Sequence, residues 1–299
     1  MTLGLAAVAF AQTPPPAQQP GQTPPPPTAP PAERTPTPPS TAQTPGKPST
    51  DAADYATGDG AFSIQLFYWQ TPQTADLRGG TMKSTLTSGD FDFPGKGKFT
   101  PGAIISIPLL KENTIRVSYF RATLRGDTTA ATDLNLFGTG FTKGDFISSR
   151  YTLQNARISL DYLSYPFPLR GSKFRFKTLW EVQYVTIDGR VSAPLLVDST
   201  GASDPTVVSG KKSIILPTFG VAVERSFGRH FRLEANASGF TLPHRSTLWN
   251  ADAAAAIRAG RIEVLLGGKA FHFRTTPKAD NYYLGTLSGA YVGVRYYWQ

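Results

Sequence analysis

The three histidines of this chain are residues whose type could support nucleophilic chemistry, and two of them have a serine or an aspartate nearby in sequence. His244 and Ser246 lie two apart in LPHRSTLW, and His272 stands in FHFR, eight residues before Asp280. A serine hydroxyl becomes a useful nucleophile when a histidine takes its proton and a carboxylate orients that histidine. Such a set would suit an acyl hydrolase. No GxSxG elbow accompanies it. The plainer reading of His244 and His272 is therefore histidines in solvated loops, and His230 reads as a turn residue facing solvent.

Metal and phosphate chemistry find less support. The chain has no cysteine, which excludes a disulfide, a thiolate metal site and a cysteine nucleophile. HExxH and EF-hand patterns are absent. Asp90 and Asp92 in SGDFDFPG are close enough in sequence to hold calcium weakly, though a solvated loop is the plainer reading. Gly138, Gly140 and Gly144 in LFGTGFTKGD suit loop turns, and their spacing is not that of a P-loop. No cofactor is expected.

The elements that must carry these residues are strands. Aromatic residues reach 12 %, glycines number 28, and apolar residues recur at every second position. KFRFKTLWEVQY, residues 173–184, shows the pattern most plainly. Phe174, Phe176, Thr178, Trp180, Val182 and Tyr184 alternate with Arg175, Lys177, Leu179, Glu181 and Gln183. Ten such runs follow one another, the first being FSIQLFYWQ and the last YVGVRYYWQ. Trp249 to Ile257 is rich in alanine and could pass for a helix, but the alternation of Ala251, Ala253, Ala255 and Ile257 suits a strand.

The connections between runs alternate in length. Long segments at 71–98, 126–148 and 187–213, and moderate ones at 242–247 and 275–282, fall between odd and even runs. Short turns at 110–113, 166–172, 227–229 and 259–260 fall between even and odd ones. In an up-and-down arrangement all long loops then lie at one end. A hairpin hidden in 71–98 or 187–213 would raise the count to twelve, and merging weak runs would lower it to eight.

The non-aromatic face of the runs is charged. Arg116, Arg157, Asp161, Arg175, Lys177, Glu181, Glu224, Arg232, Glu234, Glu263, Lys269 and Arg295 all fall on it. In a confined interior such opposite charges should pair, because an unpaired one is costly to desolvate. Their near balance predicts a salt-bridged plug over an ion-selective pore. Aromatic residues gather at run ends, as at Tyr68 and Trp69, Tyr162 and Tyr165, Phe227 and Phe231, Tyr282 and Tyr283, and Tyr296 to Trp298. They predict interfacial girdles.

With these features the chain resembles a Gram-negative outer-membrane β-barrel of small to medium size. The resemblance is architectural, covers residues 60–299, and implies an all-β fold: a closed antiparallel up-and-down transmembrane barrel of ten strands. Its terminal YVGVRYYWQ resembles the C-terminal assembly signal of such proteins, with Tyr291, Val292, Val294, Tyr296 and Trp298 carrying it. It departs by ending in Gln299 instead of phenylalanine. Ten-stranded surface proteases of the omptin type use paired carboxylates and a His–Asp pair, and no match to that motif is found.

Ahead of the barrel, MTLGLAAVAFAQ reads as a truncated signal peptide over residues 1–11, with Ala9 and Ala11 fitting a cleavage site but no basic n-region. Residues 12–59 read as a disordered linker, since 15 of the chain's 26 prolines lie in 13–50. The resemblance implies the bacterial outer membrane, with the arm in the periplasm. The expected role is structural or surface recognition, without enzymatic activity. A small-solute porin is the alternative, and a rim hydrolase or protease comes third. Net charge of +9 favours anionic surfaces. Expected partners are outer-membrane lipid and lipopolysaccharide, the barrel-assembly machinery, and peptidoglycan or a periplasmic protein through the arm. Nucleic acid is not expected.

Overall fold

The computed structural model describes residues 61–71, 76–80, 91–92, 99–109, 113–165, 174–193, 206–228, 230–243, 246–276 and 282–298. The expected signal peptide and proline-rich linker lie outside these residues, as do Asp90, His244, Asp280 and Gln299.

Ten strands form the barrel. They are β1 (Phe62–Gln70), β4 (Phe99–Pro108), β5 (Thr114–Thr129), β8 (Phe146–Tyr165), β9 (Phe174–Ala193), β10 (Thr206–Phe227), β11 (Phe231–Leu242), β12 (Ser246–Ala259), β13 (Ile262–Arg274) and β14 (Tyr282–Trp298). Each pairs antiparallel with the next, and β14 closes on β1 from Phe62↔Trp298 to Trp69↔Tyr291. Closure leaves no edge, the condition under which a sheet can stand in lipid. The first and last barrel residues, Phe62 and Trp298, both lie with the short turns. At one of them Gly260 takes φ 61° as the first residue of a two-residue hairpin between Ala259 and Ile262, a conformation glycine adopts at little cost.

The long segments differ from the loops expected of them. Segment 71–98 contains two short strands, β2 (Asp76–Gly80) and β3 (Phe91–Asp92), which continue the sheet along β14 without adding a membrane crossing. Much of 187–213 is strand, since β9 and β10 pair from Arg225↔Phe174 to Thr206↔Ala193. Segment 126–148 contains the hairpin of β6 (Leu134–Leu136) and β7 (Thr139–Phe141). That hairpin packs into the barrel mouth instead of facing outward. Leu136 and Phe141 are buried in the same core as Val191, Tyr283 and Leu287.

Alternation along β9 sets the two faces. Phe174, Phe176, Trp180, Val182 and Tyr184 point outward, and Arg175, Lys177, Glu181 and Gln183 are buried inside. Thr178 and Leu179 keep the phase, and the irregularity lies in the partner strand at Ser164. Above Tyr184 the chemistry of the faces reverses. Thr186, Asp188 and Arg190 now stand on the outer face, while Val185, Ile187 and Val191 fill the interior. The outer apolar belt covers about 11 residues of β9, the length that crosses a bilayer in a tilted strand. The 20-residue strand continues well past it.

Alanine-rich β12 is a strand despite its helical propensity. Its backbone groups pair on both sides, with β11 and β13, and that pairing outweighs a preference worth only tenths of a kcal/mol per residue.

Candidate functional site

The lumen is built in two layers. Its floor, toward the short turns, is ionic. Arg232 Nη2 lies 2.8 Å from Glu263 Oε2, and Arg295 Nη1 reaches the same oxygen at 2.8 Å. Arg295 Nη2 also meets Glu234 at 3.0 Å, and Lys177 Nζ meets Glu224 at 2.5 Å. Arg116 pairs with Asp161. Arg175 is buried on the same inward face. Several contacts span the bore, such as Arg295 on β14 with Glu234 on β11.

One turn of the pattern higher, Glu181 is a hub. Arg157 Nη1 contacts its Oε1 at 3.3 Å, while Gln183, Thr218 and Ser238 donate to its Oε2 at 3.0, 2.9 and 2.5 Å. Arg157 also donates to Asn250 across the barrel at 2.9 Å. The carboxylate thus has donors for its lone pairs, the condition for keeping a buried charge. Lys269 lies 3.8 Å from Asp252 and 5.8 Å from the Phe67 ring centroid, between the polar floor and the layer above.

That upper layer is aromatic. Trp69 meets Phe120 edge-on at 5.5 Å, and Phe120 meets Phe271 at 5.3 Å. Phe67 packs on Tyr291 at 6.0 Å. Phe273, Leu153, Val185, Leu216 and Leu248 are buried among them. Above lies the β6–β7 hairpin. Its Phe137 takes φ 53°, a left-handed conformation costly for a non-glycine residue. A Cβ placed on Gly210 would lie 2.4 Å from the Phe137 ring, so the absent side chain is what admits it. Tyr283 donates to the Gly210 carbonyl at 2.7 Å and packs against Phe137 at 6.5 Å.

All twelve charged residues singled out in the sequence lie on the inward face. Sequence reasoning missed the aromatic layer. It also placed Trp69, Tyr283 and Tyr297 in girdles, whereas all three are buried inside. The signal was present, because these residues share the phase of the charged ones. Outward aromatics do ring the short-turn end, with Phe62 on Trp298 at 5.6 Å and Phe227 on Phe231 at 5.6 Å. In the C-terminal strand Val292, Val294, Tyr296 and Trp298 stand on the outer phase and Tyr291 points inward.

Of the candidate catalytic set, Ser246 and His272 are described, and His244 and Asp280 lie outside the described residues. His272 faces outward, stacks on Trp249 at 5.5 Å and shares a hydrogen bond of 2.8 Å with Thr286. Ser246 begins β12 opposite Leu242. His230 shares one of 2.9 Å with the Arg258 carbonyl at the short-turn end. Among the described residues no cluster of three or more histidines and carboxylates could hold a metal.

These features define the class: a closed, ten-stranded barrel of the outer-membrane type. No family model matches the chain, and no curated protein matches it. Among solved structures, the outer-membrane protease OmpT from Escherichia coli is similar with a TM-score of 0.54. The match covers 81 % of this chain and 98 % of that one at 8 % identity. The Pseudomonas putida toluene transporter TodX matches 83 % of this chain and 92 % of its own, at 9 % identity and a TM-score of 0.31. At such identities the likeness to OmpT is one of fold.

Proposed function

We propose that this protein is a non-conducting outer-membrane barrel of a Gram-negative envelope, with a structural or surface-recognition role and no enzymatic activity. The observation that carries this reading is the closure of the lumen by two unlike seals in series. Ion pairs and hydrogen bonds cross the bore below, from Arg157 to Asn250 and from Arg295 to Glu234. Aromatic rings fill it above. The apolar outer belt supports residence in a bilayer, and the alternating β14 supports delivery by the barrel-assembly machinery. Lipopolysaccharide is the proposed outer-leaflet partner. The N-terminal arm is proposed to reach peptidoglycan or a periplasmic protein.

The test is single-channel recording in planar bilayers with protein that shows heat-modifiable migration in gels. A folded, inserted barrel without current steps is the expected result. Regular steps of one conductance would replace this reading with that of a small-solute porin.

A further inference from the structure

Just above the apolar belt, the outer wall of β5, β8, β9 and β10 turns cationic. Arg125 and Arg150 are direct cross-strand partners, and Arg150 is in turn opposite Arg190. All three are exposed on one face. Like charges set directly opposite in a sheet repel, so this row destabilises the sheet unless an anion lies over it. Below the row is a depression of about 320 Å³ whose lining includes Arg121, Arg150, Asp188, Arg190 and Lys211. Asp127 and Asp188 are the acidic groups on this face, against the five cations Arg121, Arg125, Arg150, Arg190 and Lys211. Among the described residues none of the five forms an ion pair.

The shape of the site describes its ligand. Arg125 and Arg190 are two strand spacings apart, roughly 10 Å between Cα atoms, so the three arginines offer guanidinium groups over a span wider than a single phosphate. Thr152, Gln154 and Thr186 line the space between with neutral donors and acceptors, suited to sugar hydroxyls. The lower wall is Tyr184, and below it the outer face continues as Val182 and Trp180. Acyl chains leaving the depression would run down that apolar wall. Arginine forks grip phosphate through paired hydrogen bonds, stronger when partly desolvated.

We propose that the outward depression lined by Arg121, Arg150, Arg190 and Lys211, with Arg125 beside it in the same cross-strand row, binds an outer-leaflet glycolipid carrying two phosphates. The proposal rests on the reading of the chain as an outer-membrane barrel and gives that reading's lipid partner a site.

The test uses the full chain folded in detergent micelles, titrated with rough-type lipopolysaccharide. The variants are Arg125→Gln/Arg150→Gln/Arg190→Gln together, and Arg225→Gln at the opposite end as a control. The triple variant should bind about a hundredfold more weakly, at roughly fivefold for each charge near the lipid surface. Arg225→Gln should bind as the unaltered protein does. Excess inorganic pyrophosphate should not displace the glycolipid. Unchanged binding by the triple variant overturns the proposal. Pyrophosphate binding as tightly as lipopolysaccharide also overturns it, in favour of a soluble-anion site. Should the triple variant not fold, Arg150→Gln and Arg190→Gln singly carry the same test at about fivefold each. Heat-modifiable migration separates the two failures, because its loss in the unaltered protein strikes the barrel reading, not the site.

Discussion

Arg232 Nη2 lies 2.8 Å from Glu263 Oε2, and this contact sits at the centre of the lumen floor. Arg295 shares the same carboxylate oxygen, and the Tyr297 hydroxyl donates to it at 2.8 Å. One carboxylate therefore serves two guanidinium groups in a buried site. Glu263→Ala would leave both cations short of charge. The expected destabilisation is about 3–5 kcal/mol, as for breaking other buried pairs from one side. Denaturant unfolding in detergent, followed by the loss of heat-modifiable migration, measures it. A cost below about 1 kcal/mol would mean the floor is wetter than its geometry implies.

The two seals predict a conditional gain of conductance. Arg157→Ala with Glu181→Ala, Glu234→Ala and Arg295→Ala removes the hub and the pair that crosses the floor but leaves the aromatic layer, so the barrel stays silent. Trp69→Ala with Phe120→Ala and Phe271→Ala thins the aromatic layer but leaves the ionic floor, so it also stays silent. Only the combination should pass ions. Bilayer recording of the three variants decides the matter, and current steps from the first alone would show that the rings do not seal.

The hairpin over the mouth depends on the absence of a side chain at Gly210. Gly210→Leu would drive a Cβ into the Phe137 ring and lift the hairpin from the core. Limited trypsin digestion should then cut at Lys143, which in the unaltered protein is held through its backbone N–H to Asp133 at 2.8 Å. Phe137→Ala in the Gly210→Leu background should restore resistance. Cleavage that the second substitution does not reduce would separate the hairpin from this contact.

The four tryptophans divide by face. Trp180, Trp249 and Trp298 stand on the outer face, whereas Trp69 is buried in the lumen. Single-tryptophan variants in bilayers of brominated lipid should show quenching of the first three and none of Trp69. Leu160→Arg, opposite Trp180 at mid-belt, should cost about 2–4 kcal/mol of barrel stability. Equal quenching of all four would be incompatible with the assigned faces.

Much of the fold is legible in the residue pattern. Period 2 through KFRFKTLWEVQY needs no tertiary information, because neighbouring side chains in a strand must take opposite faces. The alternating loop lengths select an up-and-down barrel, and that choice turns Phe174, Trp180 and Val182 toward lipid. That the charges of this face pair follows from their shared phase, whereas the meeting of Arg157 with Glu181 in particular depends on strand register. What escapes such reading is the change of medium along one strand. Past Tyr184 the period continues while its meaning inverts, so Val185, Ile187 and Val191 resemble neither lipid-facing residues nor the charged set below them. With 187–213 read as loop, the aromatic layer, the hairpin over the mouth and the outer arginine row stay hidden.

The sequence by itself determined the strands, their two faces and the even count, because these depend on local geometry and on the satisfaction of backbone hydrogen bonds. Only the tertiary structure decided which arginines are neutralised. Arg295 and Glu234 meet across the bore, and Arg125, Arg150 and Arg190 align across three strands. The first depends on barrel closure, and both depend on strand register. A shift of register by two residues would preserve every face and every period while breaking each of these contacts.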